Sequence, residues 1–317
     1  MNFTALLNTI ATLFIMLIVG YIAGKVGIVD SVASKKLSNL IIKIAQPALI
    51  IYSIVKMQYS AENLELGLKT LALGFAVHLF MGGVAFLACL KIKDIDERKI
   101  LEFSMVFGNT GFIGIPIMES LFGDVGGFMA SFIVVSFNIL MWTLGIAILS
   151  RKRDDIKLTL KKALINKGTV PSLIGLAVFL LPIILPSFKL PTFALSSLSY
   201  IASLCTPVSM LIIGALLAGR SFKQIFGSGK VYYLCLFKLV IIPLLVCVIM
   251  KLLGFSDMWV LFAAALTSMP SATSVSMLAE LYDITPGFSA QGVGTSSLLS
   301  IATMPCVIWL AQKIIEL

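Results

Sequence analysis

The sequence predicts an all-α membrane protein of about ten transmembrane helices arranged as two inverted five-helix repeats, and three observations carry that reading. Hydrophobic residues make up 59% of the 317 and charged residues 12%, with a mean hydropathy of +1.05, far from the balance of a chain dissolved in water. The apolar residues fall in successive stretches of roughly 18 to 24, each long enough to cross ~30 Å of hydrocarbon. Laid on itself with a shift of 159, the sequence pairs residues 109–124 (NTGFIGIPIMESLFGD) with residues 268–283 (SMPSATSVSMLAELYD), and both segments end in an acid.

Backbone polar groups in lipid must be satisfied within the spanning structure, and continuous apolar runs lack the alternation of a barrel, so helices remain. Spans are expected at 5–24, 37–55, 67–90, 100–122, 127–149, 170–186, 194–218, 231–252, 258–281 and 290–313. No Lys or Arg precedes the first, which therefore lacks the charged start of a secretory signal and reads as a retained span. Cys89, Cys205, Cys235, Cys247 and Cys306 stand singly in apolar segments, without a CxxC pair or a histidine at ligand spacing. They read as buried hydrophobes, and neither a metal nor a cofactor is expected.

The net charge of +9 resides in loops rather than on one amphipathic face, so it argues for membrane topology and against nucleic acid. Seventeen basic residues fall in alternate loops, whereas only Lys56, Lys69, Lys189, Lys251 and Lys313 lie on the opposite side. The positive-inside rule then places both termini on the non-cytoplasmic side of the cell membrane. The longest basic loop divides the chain into repeats at 1–154 and 155–317. A shift of 160 also sets Gln46-Pro47 of the second span on Thr206-Pro207 of the seventh, and His78 on Lys238. An odd number of spans per repeat inverts the second copy, the architecture of many alternating-access carriers.

Chemistry is expected where lipid-spanning helices are least able to stay helical. The fourth span carries Gly108-Asn109-Thr110-Gly111-Phe112-Ile113-Gly114-Ile115-Pro116 at its centre, and such a stretch should unwind. The ninth carries Thr267-Ser268-Met269-Pro270-Ser271-Ala272-Thr273-Ser274 at the matching depth. Gly and Pro also make kinks and close packing in membrane helices; the matched pair is what argues for a site. If the two breaks cross, the positive ends of the following half-helices meet near the midplane, where N–H groups receive an anion such as a carboxylate.

Asn109 is the leading candidate, because a neutral amide donates to a carboxylate at lower desolvation cost than a fixed charge. Asn138 in the fifth span, and Gln291 with Thr295, Ser296 and Ser297 in the tenth, line the same cavity or serve as interhelical glue. Of the ionisable groups well inside spans, Lys43 snorkels, whereas His78 and Lys238 offer supporting charge or structural support. Glu119, Asp124, Glu280 and Asp283 lie toward span ends, which counts against cation exchange as the main activity.

These residues resemble the auxin efflux carrier family, particularly its bacterial malate and malonate permease type, over essentially the whole chain. The resemblance rests on the Asn-x-Gly-x-x-Gly-x-Pro run at 109–116, on Pro47 and Pro207 in paired spans, and on the Ser/Thr/Pro-rich break around Pro270. It implies a scaffold of spans 1, 2, 6 and 7 and a moving domain of spans 3–5 and 8–10, with a carboxylate site at the crossover. By that implication Asn109 and the backbone beside Gly111, Gly114 and Pro116 face substrate. The central loop is short, unlike that of plant members, and neither auxin nor any other substrate identity carries over.

The expected function is secondary transport of a small organic anion, a carboxylate or a dicarboxylate such as malate or malonate, with Thr110, Ser268, Pro270, Ser271 and Thr273 joining Asn109 around it. The alternatives are a sodium- or proton-coupled carrier of another solute, such as an amino acid or a bile-acid-like anion, and a channel. An enzyme is not expected: no HExxH, no serine with a partner histidine beyond His78 and no paired intramembrane Asp is present. Gly227-Ser228-Gly229-Lys230 lacks the first Gly and the final Ser/Thr of a phosphate loop and reads as a plain loop. Membrane lipid is the obligatory partner. Gly20-x-x-x-Gly24 serves either a homodimer or close packing inside one chain.

Overall fold

The computed structural model describes residues 3–153, 165, 169–221 and 225–316, so the repeat boundary expected at residue 154 lies outside the described residues. Every regular element among them is a helix: α1 (Phe3–Lys25), α2 (Val32–Val55), α3 (Ala61–Ala88), α4 (Ile95–Val106), α5 (Thr110–Leu149), α6 (Thr169–Ile183), α7 (Thr192–Ala218), α8 (Gly229–Leu252), α9 (Asp257–Thr267), α10 (Thr273–Leu281) and α11 (Pro286–Glu316). Seven of them, α1, α2, α3, α5, α7, α8 and α11, are long and apolar enough to cross a membrane, while α6 and α9 are shorter apolar helices. At ~1.5 Å per residue, the 40 residues of α5 would run about twice the hydrocarbon thickness if straight. They do not run straight. Gly123, at φ 65° and ψ −154°, turns the chain where an L side chain would be strained.

Local chemistry sets the ends. Asp30 accepts from the Ala33 N–H at 2.7 Å before α2, and Asp94 accepts from the Asp96 and Glu97 N–H groups at 3.0 Å before α4, satisfying donors that a helix start leaves open. Of four widened, π-type turns among the described residues, three, at Ile41–Ala45, Thr110–Gly114 and Phe237–Ile241, each precede a proline by two residues, Pro47, Pro116 and Pro243; the fourth, Met141–Gly145, has none there. A proline offers no N–H to the carbonyl four residues back and its ring crowds it; one wide turn absorbs both without ending the helix.

The helices gather into two units. The first contains residues 3–74, 111–139 and 169–219. Its densest seam joins α1 to α7, where Gly20, Gly24 and Gly214 let two backbones touch. A β-carbon on Gly20 would fall on the Leu211 main chain, and one on Gly24 would stand 2.8 Å from the Ala215 Cα. The Gly20-x-x-x-Gly24 face is thus occupied within one chain. α2 packs on α6 beside Gly175, and Phe128 gathers Phe132 and Phe179 at centroid distances of 5.0 and 5.5 Å.

The second unit contains residues 75–110, 140–153 and 225–316. Val231, Cys235 and Leu239 of α8 form a core with Phe288 and Leu299 of α11. A charged lattice fastens the start of α4. The buried Glu102 binds Arg98 at 2.8 Å and also Arg151, both guanidiniums lie over the Phe86 ring, and Lys99 pairs with Asp96 at 2.9 Å. Of the expected loop Gly227–Lys230, Gly227 and Ser228 are non-helical, whereas Gly229 and Lys230 open α8, and Lys230 pairs with Glu97. Outward-facing apolar side chains, Ile15 (61% exposed), Phe193 (76%) and Leu252 (81%) among them, suit a protein whose solvent is lipid. Cys306 joins that exposed set, a correction to its expected burial; the other four cysteines are buried.

Candidate functional site

Within the second unit, the fourth and ninth spans stop being helical at the same place. α4 ends at Val106 and α9 at Thr267, and the extended segments that follow meet in a single antiparallel bridge between Gly108 and Ser271. Asn109 N donates to the Pro270 carbonyl at 2.7 Å, and Ala272 N donates to the Phe107 carbonyl at 2.9 Å. Each break supplies the hydrogen-bond partners the other lost when it left the helix, which is how irregular backbone survives at membrane depth. The two breaks thus lie side by side and pair with each other through a single antiparallel bridge. Its N–H groups at 109 and 272 are already engaged, so donors for a guest come from elsewhere.

Side chains reinforce the crossing. Ser271 Oγ donates to the Ser104 carbonyl at 3.1 Å, and the Ser296 hydroxyl oxygen accepts from Ser271 N at 3.2 Å. Ser268 donates to the Ala265 carbonyl within α9. Asn109, Thr110, Ser268 and Ser271 are all buried, and Thr273, which opens α10, is half-buried. The hydroxyls of Ser104, Ser274 and Ser276 have no hydrogen-bond partner among the described residues. Buried hydroxyls normally have one.

The ionisable pair matched by the sequence shift converges here as well. Lys238 lies in the wide turn of α8, fully buried, with Nζ 3.2 Å from the position a β-carbon on Gly108 would take. It does not reach a surface, which removes snorkelling as its role. His78, also buried, sets its ring 5.9 Å from that of Phe107.

Unwinding is narrower than the residue types suggested. Within the 107–116 stretch only 107–109 leaves helical form; Gly111 and Gly114 belong to the wide turn Thr110–Gly114, which accommodates the missing N–H of Pro116. In the first unit, the Gln46 amide nitrogen fills the space beside Gly111, 2.7 Å from where a β-carbon would be. Asn138 donates to the Val134 carbonyl of its own helix at 2.7 Å. Gln291 donates to the Ile225 carbonyl at 3.3 Å, as does Thr295 at 2.5 Å, tying the segment before α8 to α11. The Asn138 bond stays within its own helix, whereas the Gln291 bond joins two segments of the second unit. Sequence reasoning passed over Ser104 and Phe107; a serine amid the apolar residues 103–107 was the available signal for the first, and nothing marked the second.

A separate charged group stands in the first unit, where Lys56 pairs with Asp124 at 2.7 Å and with Glu119 at 3.6 Å. Burial works against the Lys56 ammonium, but the Asp124 hydrogen bond and the charge of Glu119 overcome it and hold its pKa above the ordinary 10.5.

A family model described as "Membrane transport protein" matches residues 5–159 and again residues 156–308. The chain belongs to this family, that of the auxin efflux carriers. It is accordingly a membrane-integral transporter and not an enzyme. Among its relatives is an uncharacterized transporter of Methanocaldococcus jannaschii, 29% identical over 307 residues that cover 93% of this chain and 96% of the relative. Another uncharacterized transporter, from Methanothermobacter thermautotrophicus, is 23% identical over 96% of this chain and 98% of its own. A Rhizobium meliloti protein whose name proposes a malonate transporter is 22% identical over 95% of this chain and 94% of its own.

Proposed function

We propose that this auxin efflux carrier family member is a secondary transporter of a small organic anion, a carboxylate or dicarboxylate of the malate or malonate kind. The observation that carries the reading is the antiparallel pairing of two broken spans beside a buried lysine. The start of α10 contributes its positive dipole end, Lys238 a cation, Asn109 an amide, and Ser104 and Ser274 hydroxyls without a partner among the described residues. Thr110, Ser268, Pro270, Ser271 and Thr273 shape the same cradle. The name of the Rhizobium relative puts malonate first among candidates.

The ten-span inverted repeat belongs to this proposal. Positive φ recurs at Gly123 and Asp283, 160 residues apart and each just beyond a broken span. An antiparallel bridge is also what an in-plane two-fold axis produces between equivalent segments. Both termini face away from the cytoplasm of the cell membrane, with the α4 and Arg151 charges on the cytoplasmic side. One helical domain then moves against a scaffold, by an elevator-like or rocking step. Coupling to Na⁺ or H⁺, and a homodimer, are further parts of the proposal.

The test is uptake into proteoliposomes across a panel of mono- and dicarboxylates, amines and amino acids. Saturable carboxylate uptake is the expected result; flux confined to amines or zwitterions, or flux that never saturates as in a channel, would contradict it.

A further inference from the structure

Lys238 lies at the crossing with none of the company a buried cation needs. It is completely buried, its Nζ lies 3.9 Å from the Met81 thioether sulfur, and among the described residues it has no carboxylate at ion-pair distance and no oxygen acceptor. The neighbouring elements do not supply one. On α3 the titratable group at this depth is His78, which faces Phe107. On α4, Lys99 is held by Asp96, and Glu102 by Arg98 and Arg151. On α11, Lys313 and Glu316 pair with each other at the chain end, and on α8 itself Lys251 turns to the Ile315 carbonyl and Asp257. The segments 107–109 and 268–272 carry no ionisable side chain.

An ammonium taken from water and left alone costs several kcal/mol, whereas one that meets a carboxylate in the same place regains much of that through charge and hydrogen bonds. An empty crossing therefore favours the neutral amine and a loaded one favours the ammonium carboxylate pair. Anion and proton then promote each other's binding, by linkage.

Resting on the carboxylate reading above, we propose that Lys238 is the proton-coupling site of this transporter, taking up one proton with each carboxylate bound beside Gly108 and Asn109 and releasing it with that carboxylate. On loading, the amine nitrogen forms one N–H bond to a proton from the water at the open side. On release that bond breaks, the proton passes to water on the other side, and no electrons are exchanged. Each cycle moves the anion's charge plus one: nothing net for a monoanion, one negative charge for malonate dianion.

The experiment uses the full chain in proteoliposomes with a pH-sensitive dye inside, radiolabelled malonate outside at pH 7.5 to 8, no sodium, and the membrane potential clamped. The wild type is expected to acidify the lumen with about one proton per malonate, and Lys238→Met to bring the ratio to about zero at whatever malonate flux remains. Lys238→Arg, whose guanidinium keeps its proton, is expected to move malonate without protons. Malonate uptake by the wild type with no proton overturns the coupling and leaves the carboxylate reading standing, and this result needs no variant to fold. A proton still accompanying malonate in Lys238→Met or Lys238→Arg overturns it equally. Absence of uptake for any carboxylate removes the underlying reading and the coupling together.

Discussion

Gly20→Leu is expected to cost the folded protein at least about 3 kcal/mol, because the added side chain has only main chain to enter. A β-carbon there already overlaps the Leu211 backbone, and neither α1 nor α7 can yield without separating along the seam that also holds Gly24 and Gly214. In detergent this corresponds to an unfolding midpoint lower by about 6–12 °C, with aggregate on size-exclusion chromatography. Gly83→Leu is the control: a β-carbon at Gly83 in α3 meets nothing within 4 Å, and leucine has the better helix propensity. A midpoint unchanged in Gly20→Leu would mean that α1 and α7 do not touch as described.

Asn109→Ala is expected to reduce carboxylate uptake by about 10- to 100-fold, the loss of one hydrogen bond to a charged group at roughly 1.5–3 kcal/mol. The fold should tolerate it. The bond that joins the two breaks at this residue comes from the Asn109 backbone nitrogen, 2.7 Å from the Pro270 carbonyl, and alanine keeps it. Initial uptake rate against carboxylate concentration, together with the unfolding midpoint, separates loss of recognition from loss of structure. Unchanged uptake would remove Asn109 from the site.

Much of this was legible because lipid imposes strong rules. A run of about 20 apolar residues has few fates, so α1, α3, α8 and α11 could be placed from hydropathy alone, although α3 begins at Ala61 and α11 at Pro286, earlier than the apolar residues suggested. The breaks were legible because Gly, Asn and Pro at midspan contradict helix propensity. Their extent was not: the wide turn before Pro116 keeps residues 110–116 helical where residue types argued for unwinding. What sequence lacks is the partner of each group. Gly20 and Gly24 suited a second copy or a neighbouring helix equally, and only the contact with Leu211 and Ala215 decides. Asn138 and Gln291 suited a cavity lining or a helix contact, and their carbonyl acceptors at Val134 and Ile225 could not be read from sequence. Ser104 enters the site only because a segment 167 residues away folds against it.

The decisive measurement is substrate protection of a cysteine placed at the crossing. Thr273, at the start of α10, is half-buried, so Thr273→Cys, in a background where the exposed Cys306 is serine, offers a thiol beside the proposed carboxylate position. Malonate at concentrations that saturate uptake is expected to slow alkylation of that cysteine. Alkylation at an unchanged rate, in protein that still transports malonate, would place the substrate elsewhere in the molecule.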